Sequence, residues 1–191
     1  MIGSWRIHGH AIVSADDRIA SPDGLTPLQL RNQTDWERFQ RALDEAVVTV
    51  LGRLGHAANP NRRGRNRLVL SSSAAGVERR ADGWWWNPTD ASLEEALRLA
   101  APGGGIVAVP GGRRVFDLFL AAGFDEFHLA RARSVLIPDG VPIFSSVGES
   151  HPAEAVLAAS GLAVAETEVI DSQANVTLTR WYRPAGGVAR A

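Results

Sequence analysis

The segment richest in chemistry is 107–120, VAVPGGRRVFDLFL, where an apolar strand pattern runs into Gly111-Gly112 and a helical pattern opens on Arg113-Arg114. Free backbone N–H groups and the positive end of a helix dipole would meet there with no Cβ in the way. That arrangement suits an anion, and two guanidinium groups add charge where a phosphate would lie. The plainer reading is that the glycines only make a tight strand-to-helix turn. A similar junction, Leu51-Gly52-Arg53, lies upstream, and Leu70-Ser71-Ser72-Ser73 ends a further strand with hydroxyls but no charge. Ligands of open α/β sheets bind beyond the carboxyl ends of the strands, so these three termini could converge on one extended anion. A dinucleotide fits that description better than a lone phosphate.

The elements that must position these residues follow from periodicity and turn chemistry. Residues 5–14 read as a first strand ending at Asp16-Asp17, and 21–33 as a loop. Thr34-Asp35-Trp36-Glu37 matches a capping box, so a helix is expected from Asp35, with Trp36, Phe39 and Leu43 on one face. Apolar runs at 46–51, 67–71, 106–109 and 126–131 read as strands. Between them, helices are expected at 53–59, after the Ser92-Leu93-Glu94-Glu95 capping box, and at 113–122. Such alternation implies an α/β fold with a mostly parallel central sheet flanked by helices. Residues 163–170 and 175–182 alternate apolar and polar around Asp171-Ser172-Gln173-Ala174, which predicts a C-terminal antiparallel hairpin. One domain over 1–184 and a flexible tail over 185–191 are expected.

Composition narrows the function. The 191 residues carry a net charge of −1, with both signs dispersed, so neither nucleic acid nor an anionic membrane is an expected partner. All 20 basic residues are Arg, and Cys is absent. Thiol catalysis, disulfides, Schiff-base chemistry and the lysine of a P-loop are thereby excluded. The first ten residues lack an apolar signal-peptide core, and no run approaches the ~20 apolar residues of a membrane span, so a cytoplasmic protein is expected. His8 and His10 share a strand face, yet no third ligand is near in sequence, so no metal site is expected. The Trp84-Trp85-Trp86 run should place alternate rings on opposite sheet faces, and Arg62-Arg63-Gly64-Arg65 should be a solvated loop.

Taken in order, AIVSADDRIA (11–20), DWERF (35–39), VVTVLGR (47–53), GRNRLVLSS (64–72) and VPGGRRVFDLFL (109–120) resemble the dihydrofolate reductase superfamily. That superfamily includes the pyrimidine reductase domain of riboflavin biosynthesis. The resemblance spans about 11–144, and the final hairpin agrees with the family's fold. It implies an NADPH-dependent reductase. Gly52 and Arg53 would hold cofactor phosphates, with Arg53 near the ribose phosphate, and Leu70, Ser71 and Ser72 would surround the adenosine end. Gly111, Gly112, Arg113, Arg114 and Val115 would form the pyrophosphate turn, with a cis Gly111–Gly112 peptide, while Ile19 and Ala20 would cover the nicotinamide.

For the substrate, the resemblance implies Ile12, Val13, Asp35, Phe39 and Arg65 as binding residues. Asp35 is the catalytic candidate, Phe39 an aromatic wall and Arg65 the partner of a folate's glutamate tail. A carboxylate facing a sheet-side pocket can accept two parallel N–H donors from a 2-amino-4-oxo heterocycle, which fixes the ring for hydride transfer. Beside this stands the simpler reading of Asp35 as an acidic residue favourably placed near a helix N-terminus. Departures from the dihydrofolate reductase pattern bear on the substrate: no Pro-Trp pair precedes Asp35, and Arg113, Phe116 and Ala130 stand for the family's third Gly, Tyr and Thr. The expected activity is reduction of a C=N bond in a small pterin- or folate-like heterocycle. The alternatives are a free-standing pyrimidine reductase of the riboflavin type or a non-catalytic nucleotide-binding homologue. A homodimer is possible by analogy with the pyrimidine reductases.

Overall fold

The computed structural model describes residues 2–148 and 150–185, organised around a nine-stranded sheet. In chain order the elements are β1 (Trp5–Ser14), β2 (Arg18–Ala20), α1 (Gln33–Glu45), β3 (Val48–Gly52), α2 (Arg53–Ala58), β4 (Arg67–Leu70), β5 (Val77–Arg80), β6 (Gly83–Trp86), α3 (Leu93–Ala100), β7 (Gly105–Gly111), α4 (Arg113–Ala122), β8 (Glu126–Ala132), β9 (Val141–Pro142), α5 (Ala153–Ala159), β10 (Ala163–Asp171) and β11 (Val176–Tyr182). The strand order is β10-β11-β8-β1-β7-β3-β4-β6-β5, and β8, β1, β7, β3, β4 and β6 are mutually parallel. Antiparallel partners close both margins, β11 and β10 on one side and β5 on the other. The parallel centre and the C-terminal hairpin match the sequence reading. The hairpin β5–β6, the small sheet of β2 with β9, and α5 were not anticipated.

Strand parity divides the chain between two faces. Ile7, Val50, Val107, Val109 and Phe127 point into the main core, which α3, α4 and α5 cover with Leu97, Phe116, Phe119 and Leu157. Gly9 lies in the middle of that face because a Cβ there would come within 2.2 Å of the Phe127 ring. On the opposite face Ile12, Leu30, Ala130 and Val176 make a smaller cluster, and Leu51, Val69, Ala74 and Trp85 another. Trp86 is buried in the main core while Trp85 joins the opposite cluster, so the three tryptophans alternate as expected.

Helix α1 starts earlier than the capping box suggested. Asn32, not Thr34, is its N-cap: Asn32 Oδ1 accepts the Asp35 N–H at 3.0 Å, and Asn32 Nδ2 donates to Asp171 Oδ2 at 2.8 Å. A cap that also reaches the C-terminal hairpin outcompetes one with local bonds only. The second box behaves as read, with Ser92 accepting the Glu95 N–H. Of the expected tail, 186–191 lies outside the described residues. No helix among the described residues is long and apolar enough to cross a membrane.

One charge is built into the main-core face. The Arg131 side chain, 10% exposed, pairs with Asp17, 9% exposed, at the end of β8. It also donates to Ser14 O at 2.9 Å and holds both Glu154 oxygens, while Asp17 Oδ2 accepts the Ala153 N–H at 3.1 Å. Removing one partner of a buried pair strands the other charge. Arg131→Met should therefore lower unfolding free energy by about 3–5 kcal/mol in urea titrations at neutral pH. Breaking the exposed Arg63–Asp44 pair by Arg63→Ala should leave the urea midpoint nearly unchanged, because solvent screens that pair.

Candidate functional site

The carboxyl ends of β3 and β7 are neighbours, Leu51 being registered with Gly111, and Gly52 with Leu70 on the next strand. Each end runs straight into a helix. Gly112 is the N-cap of α4 and Gly52 that of α2, and neither helix has a side-chain cap, so first-turn N–H groups are left for another acceptor. Gly111 adopts φ 109° and Gly112 φ 52°, and a Cβ on Gly111 would stand 2.6 Å from the Phe116 ring, so only glycine makes this turn. The Gly111–Gly112 peptide is trans, which corrects the expectation of a cis bond. Two consecutive positive φ angles reverse the chain without one.

The two helix starts adjoin. A Cβ on Gly52 would touch Val115 Cγ2 at 3.5 Å, so the turn after β3 and the first turn of α4 share one surface. Arg53, Arg113 and Arg114 are exposed, and none forms an ion pair with another described residue. The structure thus brings Gly52, Arg53, Gly111, Gly112, Arg113, Arg114 and Val115 together, as expected of an anion-binding edge. Leu70 is half-buried next to Gly52. Ser71 is committed to its own turn, its hydroxyl 2.8 Å from Ser73 Oγ and its N–H bonded to Trp86 O, while Ser72 is exposed. Ile19 and Ala20 lie on β2, which is paired with β9 beyond the end of β1.

On the opposite face α1 lies over His8 and His10, with Phe39 beside His10 and Ala42 lining a cavity with both. Asp35 is half-buried, and its carboxyl group has no hydrogen-bond partner among the described residues. Burial pushes its pKa up to about 6, against the opposing pull of Arg38. One turn along, Phe39 stands 5.7 Å from the Trp36 ring and 6.3 Å from His10, a wall on the sheet side of the helix. Ile12 packs in the cluster with Leu30 and Ala130, but Val13 points the other way and is fully buried in the main core. The two substrate candidates on β1 are therefore on different faces, as the two-residue period of a strand requires. Ala130, registered with Ile12, brings no hydroxyl to this face. Arg65 is occupied by α1 itself: it pairs with Asp44 at 2.7 Å and donates to Gln40 O at 3.0 Å.

Several residues that shape the site were not read from the sequence. Arg38 pairs with Glu168 at 2.7 Å and ties α1 to the C-terminal hairpin. His128 on β8 joins His8 and His10, and burial pulls His10 down to about 3. The alternation of Phe127-His128-Leu129 was the available signal for His128, but only the β1–β8 register brings it to His10.

No family model matches the chain, and no curated protein sequence does. Solved structures do. A dihydrofolate reductase from Enterococcus faecalis, complexed with NADP(H) and RAB-propyl, superposes with a TM-score of 0.64 over 94% of this chain and 97% of its own, at 18% identity. The chain has the dihydrofolate reductase fold. A protein described as a riboflavin biosynthesis protein, from Shewanella sp. PV-4, superposes with a TM-score of 0.61 over 94% of this chain and 99% of its own, at 17% identity. Within this dihydrofolate reductase fold, the glycine junctions lie at the carboxyl edge of the sheet and the Asp35 face lies under α1.

The burial of Asp35 makes a stability prediction. With a folded pKa near 6 and an ordinary value of 3.8, the group binds its proton more tightly in the folded state. Stability from this source is full below about pH 4 and is lost as pH rises through 6. Asp35→Asn should therefore be more stable than the parent by about 1–3 kcal/mol at pH 7.5 and indistinguishable from it at pH 4. Paired urea titrations at the two pH values read this directly.

Proposed function

We propose that the chain is an NADPH-dependent reductase that delivers hydride to a C=N bond of a pterin- or folate-like ring. The observation that carries this reading is the pair of uncapped helix starts on adjoining strand ends, with Arg53, Arg113 and Arg114 unneutralised beside them. The fold supports it, since the Enterococcus faecalis neighbour is a dihydrofolate reductase complexed with NADP(H). The residues fit the cofactor: the space where a Gly112 Cβ would stand is open, so a pyrophosphate could approach the backbone there, and the arginines supply the countercharge. Arg53 and the start of α2 would take the ribose phosphate, and the start of α4 the pyrophosphate. When bound, NADPH supplies the hydride.

The chain's own residues would handle position and protons. Phe39 gives the heterocycle a flat wall, and Asp35 meets its N–H edge. A carboxyl group poised near pH 6 is a mixture of both forms under working conditions. The ionised form can accept two N–H donors, and the protonated form can pass a proton to the ring nitrogen of the reduced bond, directly or through water.

One observation favours a second substrate class. Ala130, registered with Ile12, brings no hydroxyl to this face, unlike the dihydrofolate reductase pattern, and the riboflavin biosynthesis neighbour superposes about as well as the dihydrofolate reductase does. A pyrimidine of the riboflavin pathway is therefore the competing substrate. Loss of NADPH absorbance with dihydrofolate, dihydropterins or that pyrimidine separates the two. Oxidation with none of them would instead favour a non-catalytic nucleotide-binding protein.

Two outcomes are expected. NADPH should quench tryptophan fluorescence at lower concentration than NADH, and Arg53→Ala should reduce that preference by about tenfold, the loss of one charge-assisted contact. Equal affinities in both proteins would sink the phosphate assignment. Asp35→Asn should keep NADPH affinity and lower turnover by ~10² or more. Turnover at the parental rate would leave Asp35 as a helix-end charge only.

A further inference from the structure

Three imidazoles from two adjacent parallel strands meet beneath α1. His8 and His10 are two residues apart on β1 and share its face, and the register sets His128 of β8 beside His10. The His10 and His128 rings stack with centroids 4.7 Å apart and planes at 21°, and His8 lies 6.3 Å from His128. One ring nitrogen from each of the three lies within 4.8 Å of the other two. The rings border a cavity of about 200 Å³ whose walls are Ala42 and Ile106 and whose carboxylates are Glu45 and Glu126. Glu126 Oε2 is 3.4 Å from His128 Nε2 and 3.8 Å from Arg180 Nη1.

A core role does not explain this cluster. Neither His8 nor His10 hydrogen-bonds to another described residue, although His10 is buried. Their ring nitrogens are not among the sealed, unpartnered atoms of the described residues, so they open on the cavity, where they are available to a ligand. Three nitrogens converging on one point, with a carboxylate next to one of them, are what a metal ion requires. Tetrahedral coordination at about 2.0–2.1 Å needs donors roughly 3.4 Å apart, a closure within reach of side-chain rotation at the half-buried His8 and His128. Imidazole donors favour zinc and the late first-row ions over magnesium or calcium, which take oxygen ligands.

We propose that His8, His10 and His128 bind one divalent late first-row transition ion, with Zn²⁺ as the reference ion and Glu126, 3.4 Å from His128 Nε2, as the carboxylate that orients that ring. Three protein nitrogens leave a coordination position for water or a small ligand, the pattern of an open rather than a closed site. The donors sit at the middle of β1 and in the amino half of β8, whereas the glycine junctions lie at the carboxyl ends of β3 and β7. The metal site therefore neither rests on nor tests the nucleotide reading. On the helix that carries Asp35 it adjoins Phe39, whose ring lies 6.3 Å from His10, and Ala42 and Glu45, which line its cavity.

The test uses the full chain, stripped with a chelator and titrated with Zn²⁺ by calorimetry, with Mg²⁺ as the control ion. Binding of about one Zn²⁺ and no response to Mg²⁺ is expected. His8→Asn and His128→Gln should each weaken binding by ~10²-fold or more, and His56→Gln, whose ring is held by Asp82 at 2.8 Å, should not. A second measurement needs no variant: of the five histidines, the ring resonances of His8, His10 and His128 should shift with Zn²⁺ while those of His56 and His151 stay. Absence of saturable binding, equal affinity in the His8→Asn/His128→Gln double variant, or shifts confined to His56 and His151 would overturn the site.

Discussion

A guanidinium group cannot be left unpaired inside a protein, and the neutralisation of Arg131 fixes how the carboxyl edge of the sheet is built. Its partners come from separate parts of the chain: Ser14 and Asp17 after β1, and Glu154 at the start of α5. Asp17 in turn caps Ala153 N and, through its carbonyl, receives Ile143 N at 3.0 Å. The turn out of β1, the segment before α5 and the end of β8 are thus set by one charge. Positions of Ile19 and Ala20 follow, because β2 begins immediately after Asp17. Any change of Arg131 is transmitted to the covering strand pair β2–β9, not only to the core.

The neighbouring strand ends use no such charge. Between β3 and β7 the chain turns on glycine, and the space that side-chain caps would fill stays open. The same edge therefore has two characters. Near β1 and β8 it is closed by a saturated ion network, and near β3 and β7 it presents unsatisfied donors and free arginines. A charge-paired stretch thus stands beside one whose helix starts carry no side-chain cap, on a single sheet edge.

Elements with a local physical cause were legible in the sequence. The span of β1, the box at Ser92, the glycine stop at Gly123 and the alternation of the three tryptophans all follow from neighbours within a few residues. Contacts that depend on register were not. Nothing near His128 says that it will lie beside His10, and the capping choice at α1 turned on Asp171, 139 residues away. The cis peptide expected at Gly111 failed for a related reason, since the family resemblance fixes residue types but the two positive φ angles suffice to make the turn. Arg131 sits in an apolar strand pattern that gave no sign of its partners. Arg65 was read as free for a ligand, yet Asp44 and Gln40 on α1 engage its Nε and one terminal nitrogen.

Helix α1 shows why the face beneath it can hold chemistry. Only Leu43 of its thirteen residues is fully buried, so apolar packing is a minor part of its attachment. Polar contacts at its rim hold it instead: Asn32 to Asp171, Arg38 to Glu168, and Asp44 and Gln40 to Arg65. Exposed ion pairs each contribute little, about 1 kcal/mol or less, but they set distance and orientation. A helix docked by its edges leaves room between its axis and the sheet, and Ala42 and Glu45 border that room with the three histidines. Filling it with larger apolar side chains would stabilise the fold and close the cavity, so the imidazoles of His8, His10 and His128 stand where apolar packing has been given up.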